Sequence, residues 1–294
     1  MLDTVDLSSY LSGASSPERD RAVAQAFVDA ASQVGFAYVT GWESVVPAEL
    51  VQDVFEFASL SKDLNQIELE REASRDQKET FEIGNDSDPR YPEHWPKEED
   101  LPGFKATMNR FYQLCDQLHL RLMSLLAISL SLPPDYFLPQ INGRNHCLRL
   151  LHYPSVPRSG PNNRIGAHTD FGTTTLLWQD ETGGLEIEGP NAEWVPVKPK
   201  PGTFVVNFGD ILARWSNDRL KSTVHRAVLP PPELGDDEGG MTKTRRSIAY
   251  FCNPNSDALI SCIPGLEGPT GKAKYEPVVA GDFYAAMLEA EIGV

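Results

Sequence analysis

Among the six histidines of this 294-residue chain, one opens the run His168-Thr169-Asp170-Phe171-Gly172. Residues two apart on a strand share a face, so a strand here would set an imidazole beside a carboxylate. Such a pair holds a metal or simply hydrogen-bonds. A second imidazole, His225, lies in "LKSTVHRAV", a β-branched run that reads as another strand. Two imidazoles and one carboxylate form the donor set of mononuclear non-haem Fe(II) sites. The imidazoles suit a borderline divalent ion and the carboxylate cancels half its charge. Three ligands on one face leave positions open for substrate groups and O2, whereas a structural zinc site closes its shell.

Residues 245–247 read Arg-Arg-Ser. On a strand Arg245 and Ser247 again share a face, with Arg246 pointing away. An arginine fork beside a hydroxyl is suited to gripping a carboxylate. The plainer reading is a solvated basic patch at the start of a strand.

The elements that must position these residues follow from the pattern. A short strand running into a turn is expected at "TVDLSSYL". Residues 18–34 space apolar side chains at helical intervals, with Ser16 before Pro17 as the cap and Gly35 as the stop. "FAYVTGW" reads as a strand and 47–60 as a second helix. Residues 61–100 are charged and read as an irregular surface excursion, though Phe81, Tyr91, Trp95 and Phe104 need burial. The longest helical pattern spans 103–131 and stops at Pro133 and Pro134. From 145 on, seven short β-branched or aromatic runs are split by Gly, Pro and Asn: "HCLRLLHY", "TTTLLWQ", "LEIEG", "WVPVKP", "TFVVNFG", "TVHRAVL" and "RSIAYFCN". That texture points to an antiparallel barrel or double-sheet jelly roll. The acidic stretch 230–241 reads as a loop and the residues from Val279 as a final helix. The expected organisation is one catalytic unit over 1–294, α+β in class. A mostly helical region (1–135) packs on a jelly-roll core (145–255), and 279–294 add a C-terminal helix.

The formal net charge is −16. That field repels phosphate backbones and anionic membranes, so neither nucleic acid nor a membrane is expected as a partner. An anionic co-substrate would need a local cationic anchor. The N-terminus lacks the basic start and apolar core of a secretory signal. Cys115, Cys147, Cys252 and Cys262 form no Cys-x-x-Cys pair, and they read as reduced thiols of a cytoplasmic protein. Oligomeric state is not legible.

"HTDFGTTTLL", "FVVNFGDILARWSNDRLKSTVHRAV" and "RRSIAYFCNP", in that order, resemble the isopenicillin N synthase-like family of Fe(II)/2-oxoglutarate oxygenases. "AFVDAASQVGFAYVTGW", "KETFEIG", "LPGF" and "LRLLHYP" extend the resemblance over nearly the whole chain. It implies a distorted double-stranded β-helix holding Fe(II) through His168, Asp170 and His225. It also implies 2-oxoglutarate chelating the iron, with its far carboxylate on Arg245 and Ser247 and with Tyr153 assisting. O2 would be the oxidant and a small organic metabolite the substrate, oxidised at an unactivated C–H bond by hydroxylation, desaturation or ring formation. Natural-product biosynthesis is the setting that the analogy suggests. Phe81, Phe171, Trp215 and Phe283 are candidate substrate walls, each equally readable as core. Arg149 reads as half of a structural ion pair, Asn207 as packing, and Trp215-Ser216-Asn217 as a turn that positions the strand of His225.

The chain departs from the family in three places. Trp42-Glu43-Ser44 replaces an "NHG"-like element. Leu151 stands where many plant members have a polar residue. Twenty positions separate His225 from Arg245, about twice the usual spacing. The Arg245 assignment therefore requires the 230–241 loop to bulge out without shifting register. The alternatives are a 2-oxoglutarate-independent Fe(II) oxidase of the same fold, a zinc or manganese hydrolase or isomerase, and a non-catalytic binding protein.

Overall fold

The computed structural model describes residues 2–13, 16–59, 78–85, 95–160, 162–230, 240–269 and 271–292. Chain order begins with strand β1 (Thr4–Asp6) and the single turn α1 (Ser8–Leu11). Helix α2 (Pro17–Ser32) starts as its sequence dictates: the Ser16 hydroxyl accepts the Arg19 N–H at 3.4 Å, and Pro17 takes the first position. Such a cap is worth about 1 kcal/mol. Gly35, at φ +65°, ends the turn. A side chain there would meet the Lys221 carbonyl at 2.2 Å, so this glycine lets the N-terminal region close against the segment leading to His225.

Strand β2 (Phe36–Thr40) and helix α3 (Ala48–Ser59) follow. The expected irregular excursion contains an element that the sequence reading missed. Glu79–Ile83 form strand β3, paired antiparallel with β4 (Cys147–Tyr153). Much of the rest of the excursion, Tyr91 included, lies outside the described residues. Trp95 and Phe104 meet Phe81 in one aromatic cluster, with ring centroids 5.1 to 6.2 Å apart. Helix α4 (Phe104–Ser129) buries thirteen residues; each large apolar side chain among them gains roughly 1.5–3 kcal/mol from leaving water. The short turn α5 (Leu138–Ile141) precedes the β region.

The β region contains β5 (Asn163–His168), β6 (Thr174–Gln179), β7 (Leu185–Glu188), β8 (Trp194–Pro196), β9 (Phe204–Phe208), β10 (His225–Val228), β11 (Arg245–Cys252), β12 (Leu259–Ile260) and β13 (Val278–Val279). Helix α6 (Asp210–Trp215) lies between β9 and β10, and α7 (Ala280–Ile292) closes the chain. One sheet runs β1-β2-β9-β6-β11-β4-β3 and a second β5-β10-β7-β8, with a small β12-β13 pair apart. Every pairing but β1–β2 is antiparallel. The two sheets meet through Phe36, Leu185, Ile187 and Val205 at one place and through Leu151, Tyr153, Ala227 and Ala249 at another. Helices α2 to α4 share a separate apolar core with the other side of the large sheet. This is the expected α+β jelly roll.

Arg245 pairs with Tyr153 and Ser247 with Leu151 across β11–β4. The long connection after β10 therefore leaves both residues on one strand face, although residues 231–239 of that loop lie outside the described residues. Among the described residues no helix is long and apolar enough to cross a membrane.

Candidate metal centre

His168 ends β5 and His225 begins β10, and the two are direct partners in that antiparallel pair. Directly opposed residues bring their Cβ atoms to about 5 Å, and the imidazole centroids stand 4.3 Å apart. The register shifts just beyond His225, a bulge of the kind that re-aims side chains beside sites. The sequence puts Asp170 on the strand of His168; the structure does not. Asp170 lies two residues past the strand end, in the loop that turns into β6. The loop carries its carboxylate back, so that one ligand atom from each of His168, Asp170 and His225 lies within 4.8 Å of the others.

Each donor is held in a metal-ready state. His168 Nδ1 bonds the Gly166 carbonyl at 2.8 Å and His225 Nδ1 bonds the Thr223 carbonyl at 3.1 Å. A carbonyl only accepts, so Nδ1 carries a proton in both rings, which leaves Nε2 as the ring atom turned to a metal. Asp170 Oδ2 accepts from Thr175 Oγ1 at 2.5 Å and from Asn207 Nδ2 at 2.7 Å, while Oδ1 stands 3.7 Å from His225 Nε2. Burial pushes the Asp170 carboxyl up, but the two imidazoles and these hydrogen bonds outweigh it and hold it below the usual carboxylate range. Burial, with His225 adjacent, pushes the His168 imidazole below the usual histidine range. Asn207 was expected to be packing. It is a direct partner of the carboxylate, a role that its position on an apolar strand gave no means to see.

Two cavities meet at this triad. The inner one, about 550 Å³, is lined by Tyr153, His225, Asn207, Arg245 and Ser247. The outer one, about 540 Å³, is lined by Phe81, Phe171, Asn253 and Tyr284. His168, Asp170 and Arg149 line both. Arg245 is 3% exposed, and its guanidinium carbon lies 4.7 Å from the Tyr153 ring centroid. Its Nη1 donates to Ser247 Oγ at 3.3 Å and its Nη2 to Gln179 Oε1 at 3.4 Å. Among the described residues Nε has no partner, and no carboxylate faces the group. A buried unpaired cation is costly. This one, with its hydroxyl neighbour, fits a dicarboxylate whose far end enters the inner cavity. Arg164, which the sequence reading did not single out, lies 5.7 Å from the same Tyr153 ring and adds positive charge there. The donor set of the triad, two imidazoles and one carboxylate oxygen, fits Fe(II).

The four candidate walls divide. Phe81 and Phe171 line the outer cavity. Trp215 does not: it is 4% exposed and packs on Phe137, ring centroids 5.4 Å apart, inside the helical core. Phe283 is also displaced from the cavity, lying against Tyr284 and the Arg214 guanidinium. Helical geometry turns Tyr284, its neighbour, toward the cavity instead. The Tyr284 hydroxyl donates to Asn253 Oδ1 at 2.8 Å. Arg149 forms the expected ion pair, with Nε 2.6 Å from Glu82 Oε1, yet it also faces both cavities.

The model of the 2OG-Fe(II) oxygenase superfamily matches residues 144–254. The chain is 35% identical to the proline hydroxylase buaE of Petromyces alliaceus, over 98% of each chain. It is 40% identical to the 2-oxoglutarate-dependent dioxygenase ecdK of Aspergillus rugulosus, over 70% of this chain and 64% of that one. Its fold superposes on a full-length Neurospora crassa protein crystallised in complex with alpha-KG and thymine, with a TM-score of 0.87, at 33% identity over 99% of this chain and 97% of that one. With these relatives and this site, the chain belongs to the 2OG-Fe(II) oxygenase superfamily and is an Fe(II)- and 2-oxoglutarate-dependent dioxygenase.

Proposed function

We propose that His168, Asp170 and His225 hold the iron, that Arg245, Ser247 and Tyr153 hold the far carboxylate of 2-oxoglutarate in the inner cavity, and that the outer cavity takes a small organic metabolite whose unactivated C–H bond is oxidised. The observation that carries this reading is the buried Arg245 fork, which lacks a carboxylate partner among the described residues and lines the same cavity as the triad. When bound, Fe(II) couples O2 to the oxidative decarboxylation of 2-oxoglutarate and so oxidises the substrate C–H bond. The chain's own residues orient and enclose. Arg245 and Ser247 fix the co-substrate's far end, and the bonds on each Nδ1 aim the imidazoles. Phe81, Phe171 and Tyr284 keep the outer cavity largely apolar.

Arg149 gives the outer cavity its polarity. Its Nε faces Glu82, its guanidinium carbon lies over the Phe251 ring at 4.9 Å, and the side chain lines both cavities. The fork suits a carbonyl or carboxylate oxygen of the substrate. Proline, suggested by the name of one relative, and thymine, bound by another, both carry such oxygens. The reading assigns the chain to natural-product tailoring and to the cytoplasm, in keeping with four free cysteines.

The test is succinate release with L-proline and thymine as first probes, measured with and without 2-oxoglutarate. Release that requires Fe(II) and 2-oxoglutarate, and rises with a probe, is the expected result. O2 uptake driven by a probe without 2-oxoglutarate would replace this reading with the oxidase one.

A further inference from the structure

We propose that Asn207 and Thr175 confine Asp170 to ligation through one oxygen, and so keep free the coordination position that 2-oxoglutarate needs. The proposal rests on Asp170 being an iron ligand. Both side chains donate to the same atom, Oδ2, at 2.7 and 2.5 Å, while Oδ1 is the oxygen turned to His225. A carboxylate oxygen offers two lone-pair directions. With both taken, Oδ2 has none to give a metal.

The clamp is built on rigid ground. Thr175 on β6 and Asn207 on β9 are direct cross-strand partners in the middle of the large sheet. They are 4% and 2% exposed, so little solvent reaches these bonds. The Asn207 orientation is fixed by chemistry, since a flipped amide would set its oxygen against the carboxylate. The backbone is held as well: the Asp170 carbonyl accepts the Asp210 N–H at 2.8 Å. A carboxylate so held cannot rotate to chelate. An iron held by the triad through one Asp170 oxygen would keep its remaining positions for the keto acid and O2. Without the clamp, a second Asp170 oxygen would compete for one of them.

The test is Thr175→Val, which removes the hydroxyl at nearly constant shape, and Asn207→Ala. Fe(II) affinity is measured by anaerobic chelator competition, 2-oxoglutarate half-saturation by visible absorption of the iron complex, and folding by thermal melting. The proposal expects both variants to fold and to bind Fe(II) within about tenfold of wild type, while 2-oxoglutarate half-saturation rises at least as much again. Thr175→Ser restores the 2-oxoglutarate affinity that Thr175→Val loses. Folded variants whose 2-oxoglutarate half-saturation stays within twofold of wild type overturn the clamp alone. Loss of iron with unchanged 2-oxoglutarate affinity per bound iron overturns it too. A wild-type protein that binds no Fe(II) overturns the metal reading and the clamp together.

Discussion

The most consequential side chain outside the proposed metal triad is Arg245, a buried cation that the protein leaves half-partnered. Charge-assisted hydrogen bonds are worth roughly 1.5–3 kcal/mol each. Arg245→Ala is therefore expected to raise 2-oxoglutarate half-saturation ten- to a hundredfold and leave Fe(II) affinity unchanged. Arg245→Lys keeps the charge but loses the fork, and falls between. Parallel titrations with Fe(II) and with 2-oxoglutarate check this, and an equal loss of both would count against the assignment. The candidate walls give a contrasting pair. Trp215 is core, so Trp215→Ala is expected to cost about 3–5 kcal/mol of stability, visible in denaturant unfolding. Phe171 lines the outer cavity, so Phe171→Ala is expected to leave the unfolding midpoint nearly in place and raise the substrate KM.

At the scale of elements, the corner between β9 and α6 holds the loop that carries Asp170. Gly209 N–H bonds the Thr173 carbonyl at 2.9 Å, Asp210 N–H the Asp170 carbonyl at 2.8 Å, and the Thr169 hydroxyl donates to Asp210 Oδ2 at 2.9 Å. A methyl group on Gly209 would stand 2.4 Å from the Gly172 carbonyl oxygen and 2.8 Å from that of Asp170. Both are backbone atoms and cannot swing aside. Gly209→Ala is thus expected to shift Asp170 and weaken Fe(II) binding tenfold or more, whereas Gly202→Ala, away from the site, leaves Fe(II) binding intact. Iron titration of the two variants decides the matter. The sequence made much of this architecture legible. Helix α2 with its Ser16 cap, the Gly35 stop, and the β runs holding His225 and Arg245 carry local signals of period, capping and β-branching. It put a strand at His168 but did not show that β5 runs back to Asn163, because Asn-Arg-Ile-Gly-Ala has little strand propensity and becomes a strand by pairing with β10. It hid β3, whose Thr, Phe and Ile suit a strand, because they sit within a long charged stretch. It placed Asp170 on a strand because a spacing of two fits a strand as well as it fits a strand end and loop. The Asn207 contact is tertiary, between residues 37 apart, and no local pattern encodes it.

At the scale of the whole molecule, stability and site share buried polar groups. Burial pushes the His119 imidazole well below the usual histidine range, and nearby His146, itself pushed down by burial, adds to this. Asp116 faces His146 at 3.3 Å and is itself paired with Arg144, whose charge also disfavours the His146 cation; the Asn253 N–H donates to His146 Nδ1 at 2.9 Å, Tyr250 packs on the His146 ring, and Thr174 is bonded to His119 at 3.2 Å. Above the ordinary value of 6.5, folded and unfolded forms both carry a neutral ring. As pH falls below it, the unfolded chain gains a proton that the folded one refuses, so stability drops toward acid by at most about 1.4 kcal/mol per pH unit for each such ring. Melting temperature measured from pH 8 to pH 5 is expected to fall below pH 6.5, and His119→Gln is expected to flatten that fall. A variant as acid-sensitive as wild type would exclude His119 as the cause. The central claim is that one triad and one buried arginine hold iron and 2-oxoglutarate side by side between two cavities. Its most direct test is anaerobic titration of metal-free protein with Fe(II) and 2-oxoglutarate, followed by the weak visible charge-transfer absorption of the complex, for wild type and His225→Ala. The account predicts an absorption that saturates at one equivalent of iron in wild type and is absent from the variant. An absorption of equal strength in the variant, or none in wild type, would contradict it.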